Sequence, residues 1–113
     1  MNTPFVEIAT IEALDEFLTK ANDSAALLFK HSNLCGVSSR AYREMETLNS
    51  TVGLVVVQDA RSVSNEIERR WGVSHETPQV LIVRGDEVTW NASHFEIKAG
   101  AVSAALEAAG GER

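Results

Sequence analysis

With 113 residues, 44% apolar and 23% charged, the chain has the size and make-up of one soluble globular domain, residues 1–113 with a core over about 5–109. A formal net charge of −6, with no basic stripe, argues against general affinity for nucleic acid or anionic membrane. The single cysteine excludes an internal disulfide framework and all-cysteine zinc sites, and a free thiol fits a reducing cytoplasm. The first residues carry neither the positive region nor the apolar stretch of a secretory signal. The longest apolar runs, 25–29 and 52 or 53 to 57, are far short of a membrane span.

In chain order, residues 5–8 can form a short edge strand. Thr10 is placed to cap a helix whose apolar positions, Ile11, Leu14, Phe17 and Leu18, follow the 3.6-residue period of one face, and Asn22-Asp23-Ser24 breaks it. Residues 25–30 are short and nearly all apolar, as in a strand buried on both faces. From Cys35 the pattern turns helical, with Ala41, Met45 and Leu48 aligned and Tyr42 beside them. Residues 54–58 give the strongest strand signal, rich in β-branched side chains. Ser62 or Ser64 can cap a third helix, with Val63, Ile67 and Trp71 on one face and Gly72 at its stop.

After Thr77-Pro78, residues 79–83 read as a strand. Residues 84–87 read as a tight hairpin turn and 88–91 as the return strand. Residues 98–109 close the chain as a helix with Val102, Ala105, Leu106 and Ala109 inward, and 110–113 are expected to fray. The order β-α-β-α-β-α-β-β-α calls for a parallel, right-handed first part and an antiparallel hairpin at the end. This is the layout of a thioredoxin-like α/β fold, a central mixed sheet with helices on both faces.

Cys35 stands where the first buried strand gives way to a helix, with Ser38 three residues on. A thiol so placed faces unpaired backbone N–H groups and the positive end of the helix dipole, which favour thiolate over thiol. The N–H groups of Val37 and Ser38 are the candidate donors. The Ser38 hydroxyl is placed either to donate to the sulfur or to cap the helix. A C-x-x-S site keeps the attacking sulfur of a C-x-x-C redox site and lacks the second sulfur that would resolve it, which points to one-thiol chemistry. Taken alone, Cys35 could also be a small buried hydrophobe.

Lys30 and His31 end the strand on the same side. A cation there would favour a thiolate and attract a carboxylate-bearing thiol, although strand-end lysines are commonly solvated and lone histidines commonly structural. His75 and His94 have no ligand spacing with Cys35, so no metal site is expected. Trp71 and Trp90 read as core aromatics.

The segment Leu28-Phe29-Lys30-His31-Ser32, the C-x-x-S site at Cys35 to Ser38 and the stretch Val63-Ser64-Asn65-Glu66-Ile67 resemble the bacilliredoxin-like proteins of the bacillithiol system, monothiol members of the thioredoxin superfamily. His75-Glu76-Thr77-Pro78-Gln79 and Trp90-Asn91-Ala92-Ser93-His94 continue the likeness, which spans residues 11–109. The resemblance implies thiol–disulfide exchange in redox homeostasis. Bacillithiol, or a similar low-molecular-weight thiol, would be removed from mixed disulfides on client proteins and would serve as co-substrate. It further implies no bound cofactor, and a cytoplasmic monomer is expected.

Under this likeness Cys35 matches the family's active cysteine, Ser38 its site serine, and Thr77-Pro78 the loop that faces the thiol. In thioredoxin-like proteins the matching proline is cis, which would leave the Thr77 backbone open to pair with an extended client or thiol. Lys30, His31, Gly36 and Val37 would complete the substrate side. One departure is Leu34-Cys35-Gly36 where the family usually has Thr-Cys-Pro; Gly36 loosens the first helical turn and keeps an N–H that proline lacks. Two other readings stay open. Cys35-Gly36-Val37-Ser38 is similar to the C-G-F-S site of monothiol glutaredoxins, which carry an iron–sulfur cluster between two subunits, although the downstream Gly-Gly motif of those proteins is absent. The third is a thioredoxin-fold interaction module that binds through the Thr77 loop without redox chemistry.

Overall fold

The strand that carries the site, β2 (Ala26–His31), is buried at every position and lies third in a five-stranded sheet of order β1-β3-β2-β4-β5. The structure is a computed structural model that describes residues 4–21 and 24–110; the expected breaker at Asn22-Asp23 and the tail 111–113 lie outside the described residues. The other elements are β1 (Phe5–Glu7), α1 (Ile11–Ala21), α2 (Gly36–Glu46), β3 (Val52–Val56), α3 (Arg61–Trp71), β4 (Gln79–Arg84), β5 (Glu87–Ser93), a 3-10 turn (His94–Glu96) and α4 (Ala99–Ala108). β1 and β2 run parallel to β3, whereas β4 is antiparallel to both β2 and β5. The expected element order is therefore the observed one, with the 3-10 turn as an addition.

The apolar run of β2 follows from its place between two cores. Leu27 and Phe29 point into a cluster with Ala41 and Met45 of α2 and Val102 and Leu106 of α4. Ala26 and Leu28 point the other way, to Leu14 of α1 and Val63 and Ile67 of α3. Alternation along a strand sends neighbours to opposite faces, so a centre strand covered on both sides needs apolar side chains at nearly every position. The Thr10 hydroxyl accepts the Ala13 N–H at 3.0 Å, the expected cap of α1. On the other layer, the Glu44 carboxylate of α2 accepts the Ala99 N–H at 2.7 Å and so closes the N-terminus of α4, where a negative charge is favoured.

Several boundaries differ from expectation. β3 begins at Val52 rather than at 54, because Phe5 and Val6 of the edge strand pair with Val52 and Gly53. It also ends early: Val57 makes a last bond to the His31 carbonyl at 2.9 Å, and the Asp59 N–H turns back to the Val56 carbonyl at 2.9 Å, so Gln58 leaves the sheet. α3 starts from Ala60, whose carbonyl takes the Val63 and Ser64 N–H groups, both at 3.1 Å. Ser62 and Ser64 thus lie inside the helix, not at its cap. β5 extends through Ser93, where a reciprocal Ser93–Glu96 capping box opens the 3-10 turn. Gly72 and Gly85 adopt φ of 70° and 63°, ending α3 and turning the β4–β5 hairpin, positions where a side chain would be strained. Among the described residues no helix is long and apolar enough to cross a membrane.

Gly53 is held by its surroundings rather than by its dihedrals. A Cβ there would lie 2.7 Å from Ile8 Cδ1, 2.9 Å from Phe17 Cε2 and 3.0 Å from Leu28 Cδ2. Gly53→Ala is expected to overpack the α1 face and cost about 1–3 kcal/mol, measured as a lower urea midpoint with an unchanged slope. An unaltered midpoint would show that these three side chains move aside freely.

Candidate active site

Cys35 occupies the N-cap of α2 with extended dihedrals, φ −121° and ψ 125°, and it is a free, half-buried thiol. The first helical hydrogen bond closes from Ser39 N–H to the Cys35 carbonyl at 3.1 Å. The N–H groups of Gly36, Val37 and Ser38 therefore have no partner within the helix, and they follow the thiol directly in the chain. Around Gly36 a Cβ would meet nothing within 4 Å, so the site does not demand glycine there on steric grounds. The two residues next to Cys35 and Gly36 differ: Leu34 is 86% exposed, whereas Val37 is half-buried.

Ser38 is completely buried. Its Oγ accepts the Ser32 N–H at 2.9 Å and lies 2.7 Å from His31 Nδ1. The expected partner of this hydroxyl was the Cys35 sulfur or the helix end; among the described residues its hydrogen bonds go instead to β2 and the segment after it. The reason is position. Ser38 is the third residue of α2 and faces the sheet, where leaving the Ser32 N–H and the imidazole unpaired would be costly. The His31 ring packs against Phe29 and Tyr42, tilted to both, with centroids 5.6 and 4.9 Å away. Burial pushes its pKa below the ordinary 6.5, with the Ser38 bond acting in the opposite direction, so the ring is neutral at neutral pH.

Gln58, expected to end a strand, turns out to hold the loop before Cys35. Its Nε2 donates to Ser32 Oγ at 2.7 Å, and its Oε1 accepts the Asn33 N–H at 3.1 Å. Ser32 Oγ also accepts the Leu34 N–H at 3.3 Å. The only sequence signal for this role is a polar residue closing a β-branched run, which is too common to single it out.

Lys30 is placed differently from expectation. It is neither solvated nor on the α2 side with His31, because strand alternation turns it to the α3 face, where it is 0% exposed. Its Nζ has no hydrogen-bond partner among the described residues, nor does Oε1 of Gln79, the residue paired with it across β2 and β4. Burial lowers the Lys30 pKa from 10.5 to about 8, with Glu68 and Glu76 partly offsetting the effect. Gln79 Nε2 donates to the Ser74 carbonyl at 2.9 Å, and Ser64 Oγ lies 3.1 Å from His75 Nδ1, so the segment leading to Thr77 is tied down over this buried amine.

The Thr77–Pro78 peptide is cis. Thr77 is half-buried and Pro78 buried. Lys30 and Gln79 are the last register pair of β2 and β4, so Pro78 continues that ladder at the level of His31. The Pro78 carbonyl accepts the His94 N–H at 3.0 Å. His94, with φ of 56°, also pairs through Nε2 with Glu76 at 3.2 Å. The 3-10 turn then returns to α2: Arg40 lies over the Phe95 ring, 5.9 Å from its centroid, and Phe95 is 61% exposed. Thus the structure links His31, Ser38 and the start of α2 directly, and joins the Thr77–Pro78 loop to α2 through the 3-10 turn. Trp71 and Trp90 are half-buried, each packed on one of the two cores.

Residues 6–102 match the family described as monothiol bacilliredoxin BrxC. The chain belongs to that family. Solved structures agree on the fold. A protein with a thioredoxin fold superposes with a TM-score of 0.81 at 23% identity, covering 89% of this chain and 92% of that one. Thioredoxin from Trypanosoma brucei brucei gives 0.73 at 13% identity, covering 95% and 92%. A thioredoxin mutant from Halobacterium salinarum gives 0.73 at 11% identity, covering 100% and 98%. The fold is thioredoxin-like, and the bacilliredoxin resemblance seen in the sequence is the family to which the chain belongs.

Two outcomes follow from the buried groups of this bacilliredoxin family member. Ser38→Ala leaves the Ser32 N–H and His31 Nδ1 without their common partner and is expected to cost about 1–3 kcal/mol in urea unfolding; a cost near zero would mean that the hydroxyl holds nothing. For Lys30, the folded state holds its proton less tightly than the unfolded chain. The unfolded state therefore binds more protons between pH about 8 and 10.5, and stability rises with pH through that window. The rise is expected to be on the order of 3 kcal/mol, absent in Lys30→Met. Parallel pH profiles for the two proteins would show that the amine is not charged and buried.

Proposed function

We propose that this protein removes bacillithiol, or a closely similar small thiol, from mixed disulfides on client proteins, with Cys35 as the nucleophile. The observation that carries the reading is the chain's one thiol at the N-cap of α2, half-exposed, in a member of the monothiol bacilliredoxin family. In the proposed step the Cys35 thiolate attacks the bacillithiol sulfur of a client–S–S–bacillithiol adduct. That S–S bond breaks, the client leaves as its thiolate, and Cys35 becomes the bacillithiol mixed disulfide. No electrons are gained or lost overall; the disulfide is transferred. A second small thiol must then attack the adduct, because the chain has no other cysteine to do so.

The surroundings support each part of this step. The unpaired N–H groups of Gly36, Val37 and Ser38 favour negative charge at the attacking sulfur. The cis Thr77–Pro78 loop offers backbone groups for an extended client segment, and exposed Leu34 and Phe95 offer apolar contact on either side. The chemistry suits a reducing, cytoplasmic setting.

The test is a bacillithiolated peptide incubated with the protein and followed by intact mass. The wild type is expected to gain one bacillithiol as the peptide appears reduced, and Cys35→Ser to do neither. Peptide reduction at the protein-free rate would overturn the proposal.

A further inference from the structure

We propose that the groove between α2 and β3 is a carboxylate-binding subsite for the non-thiol end of the small acidic thiol carried on Cys35, a proposal that rests on the thiol-exchange reading above. The groove has a volume of about 430 Å³ and is lined by His31, Asn33, Ser39, Tyr42 and Arg43 over an apolar floor from β3. That volume falls in the range of small-molecule sites.

Position ties the groove to the thiol. Ser39 and Arg43 follow Cys35 at i+4 and i+8, so they lie on the stripe of α2 that starts at the cysteine. At 1.5 Å per residue Arg43 is about 12 Å along the helix from Cys35, roughly the span of three to four extended residues. Asn33 borders the same groove from the other side of Cys35, held by its backbone bond to Gln58. A molecule of tripeptide size joined through sulfur to Cys35 can therefore lay its far end beside Arg43.

The lining also has a polarity. It contains hydroxyl, amide, imidazole and guanidinium groups and no carboxylate, in a chain of net charge −6. Among the described residues Arg43 makes no ion pair, whereas Arg69 and Arg70 are both engaged with carboxylates. His31 spends Nδ1 on Ser38, and its Nε2 has no protein partner among the described residues. An exposed, unpaired arginine above a neutral imidazole and a tyrosine hydroxyl is a donor set for carboxylate oxygens, which arginine binds in bidentate fashion.

Two measurements test the subsite, and the first does not need Cys35 to react. Tyr42 is the only tyrosine in the chain, so its ring resonance, from a residue lining the groove, is assigned without ambiguity. S-methyl bacillithiol, which cannot form a disulfide, is expected to shift that resonance saturably in the wild type and at least tenfold more weakly in Arg43→Gln. S-methyl glutathione in the same titration distinguishes a subsite for bacillithiol from one for any acidic thiol. No shift with either compound would overturn the proposal, whatever Cys35 does.

The second measurement is the rate at which Cys35 attacks a symmetrical disulfide, forming one mixed disulfide and releasing one thiol. The ratio of rates for oxidised bacillithiol and neutral 2-hydroxyethyl disulfide is expected to fall about tenfold in Arg43→Gln, the effect of one charge-assisted contact. It is expected to stay within twofold in Arg61→Gln, which removes the same charge outside the groove. Equal falls in both variants would indicate a general field and overturn the subsite. Failure of Cys35 to react with either disulfide, alongside a Tyr42 shift, would sink the exchange reading and leave the groove standing.

Discussion

A buried hydroxyl must find partners in the protein, and Ser38 has two of them, the Ser32 N–H and the His31 ring, which together decide where α2 can begin. The bond joins the first turn of the helix to the end of the central strand. It thereby sets the height of Cys35 above the sheet. Gln58 adds a second tie by holding Ser32 and Asn33 from the end of β3. The loop before the thiol is thus pinned from two strands, while the Leu34 side chain projects into solvent. In a C-x-x-S site the serine is easily taken for a weakened resolving group. Here it acts on the architecture around the thiol, bonding to Ser32 and His31.

The two polar residues that end β2 divide between the faces of the sheet. His31 is turned to α2, where Phe29 and Tyr42 enclose its ring. Lys30 is turned to α3, under the segment that leads to the cis Thr77–Pro78 bond. A buried amine without a partner is costly, and nearby Glu68 and Glu76 compensate for it only in part. Consequently the two sides of the site rest on different physics. The α2 side is held by hydrogen bonds and ring packing, and the Thr77 side by the bonds of Ser64 and Gln79, which offset the cost of the amine beneath.

Single-thiol exchange places particular demands on the surroundings of the sulfur. With no second cysteine, the mixed disulfide waits for another molecule, so selectivity has to come from what the adduct touches while it waits. Leu34 and Phe95 are exposed, and neither lines the groove of Asn33, Tyr42 and Arg43. On the proposed reading, a client and a small thiol have separate surfaces to occupy around one sulfur.

Much of this was readable from residue order. Periodicity placed every strand and every α-helix, because a strand between two cores must be apolar throughout and a helix on a sheet must be apolar on one face. The motifs around Cys35 and Thr77-Pro78 identified the family, since they are local in sequence. What the sequence by itself could not determine was the partner of each polar side chain. Ser38 bonding to His31 rather than to sulfur, Gln58 reaching back to Ser32, Lys30 buried on the far face, Arg43 standing over a groove: each depends on which elements lie adjacent across the sheet. Hydrogen bonds and burial are set by neighbours in space, and only the tertiary structure brings residues 31, 38 and 58 to the same place.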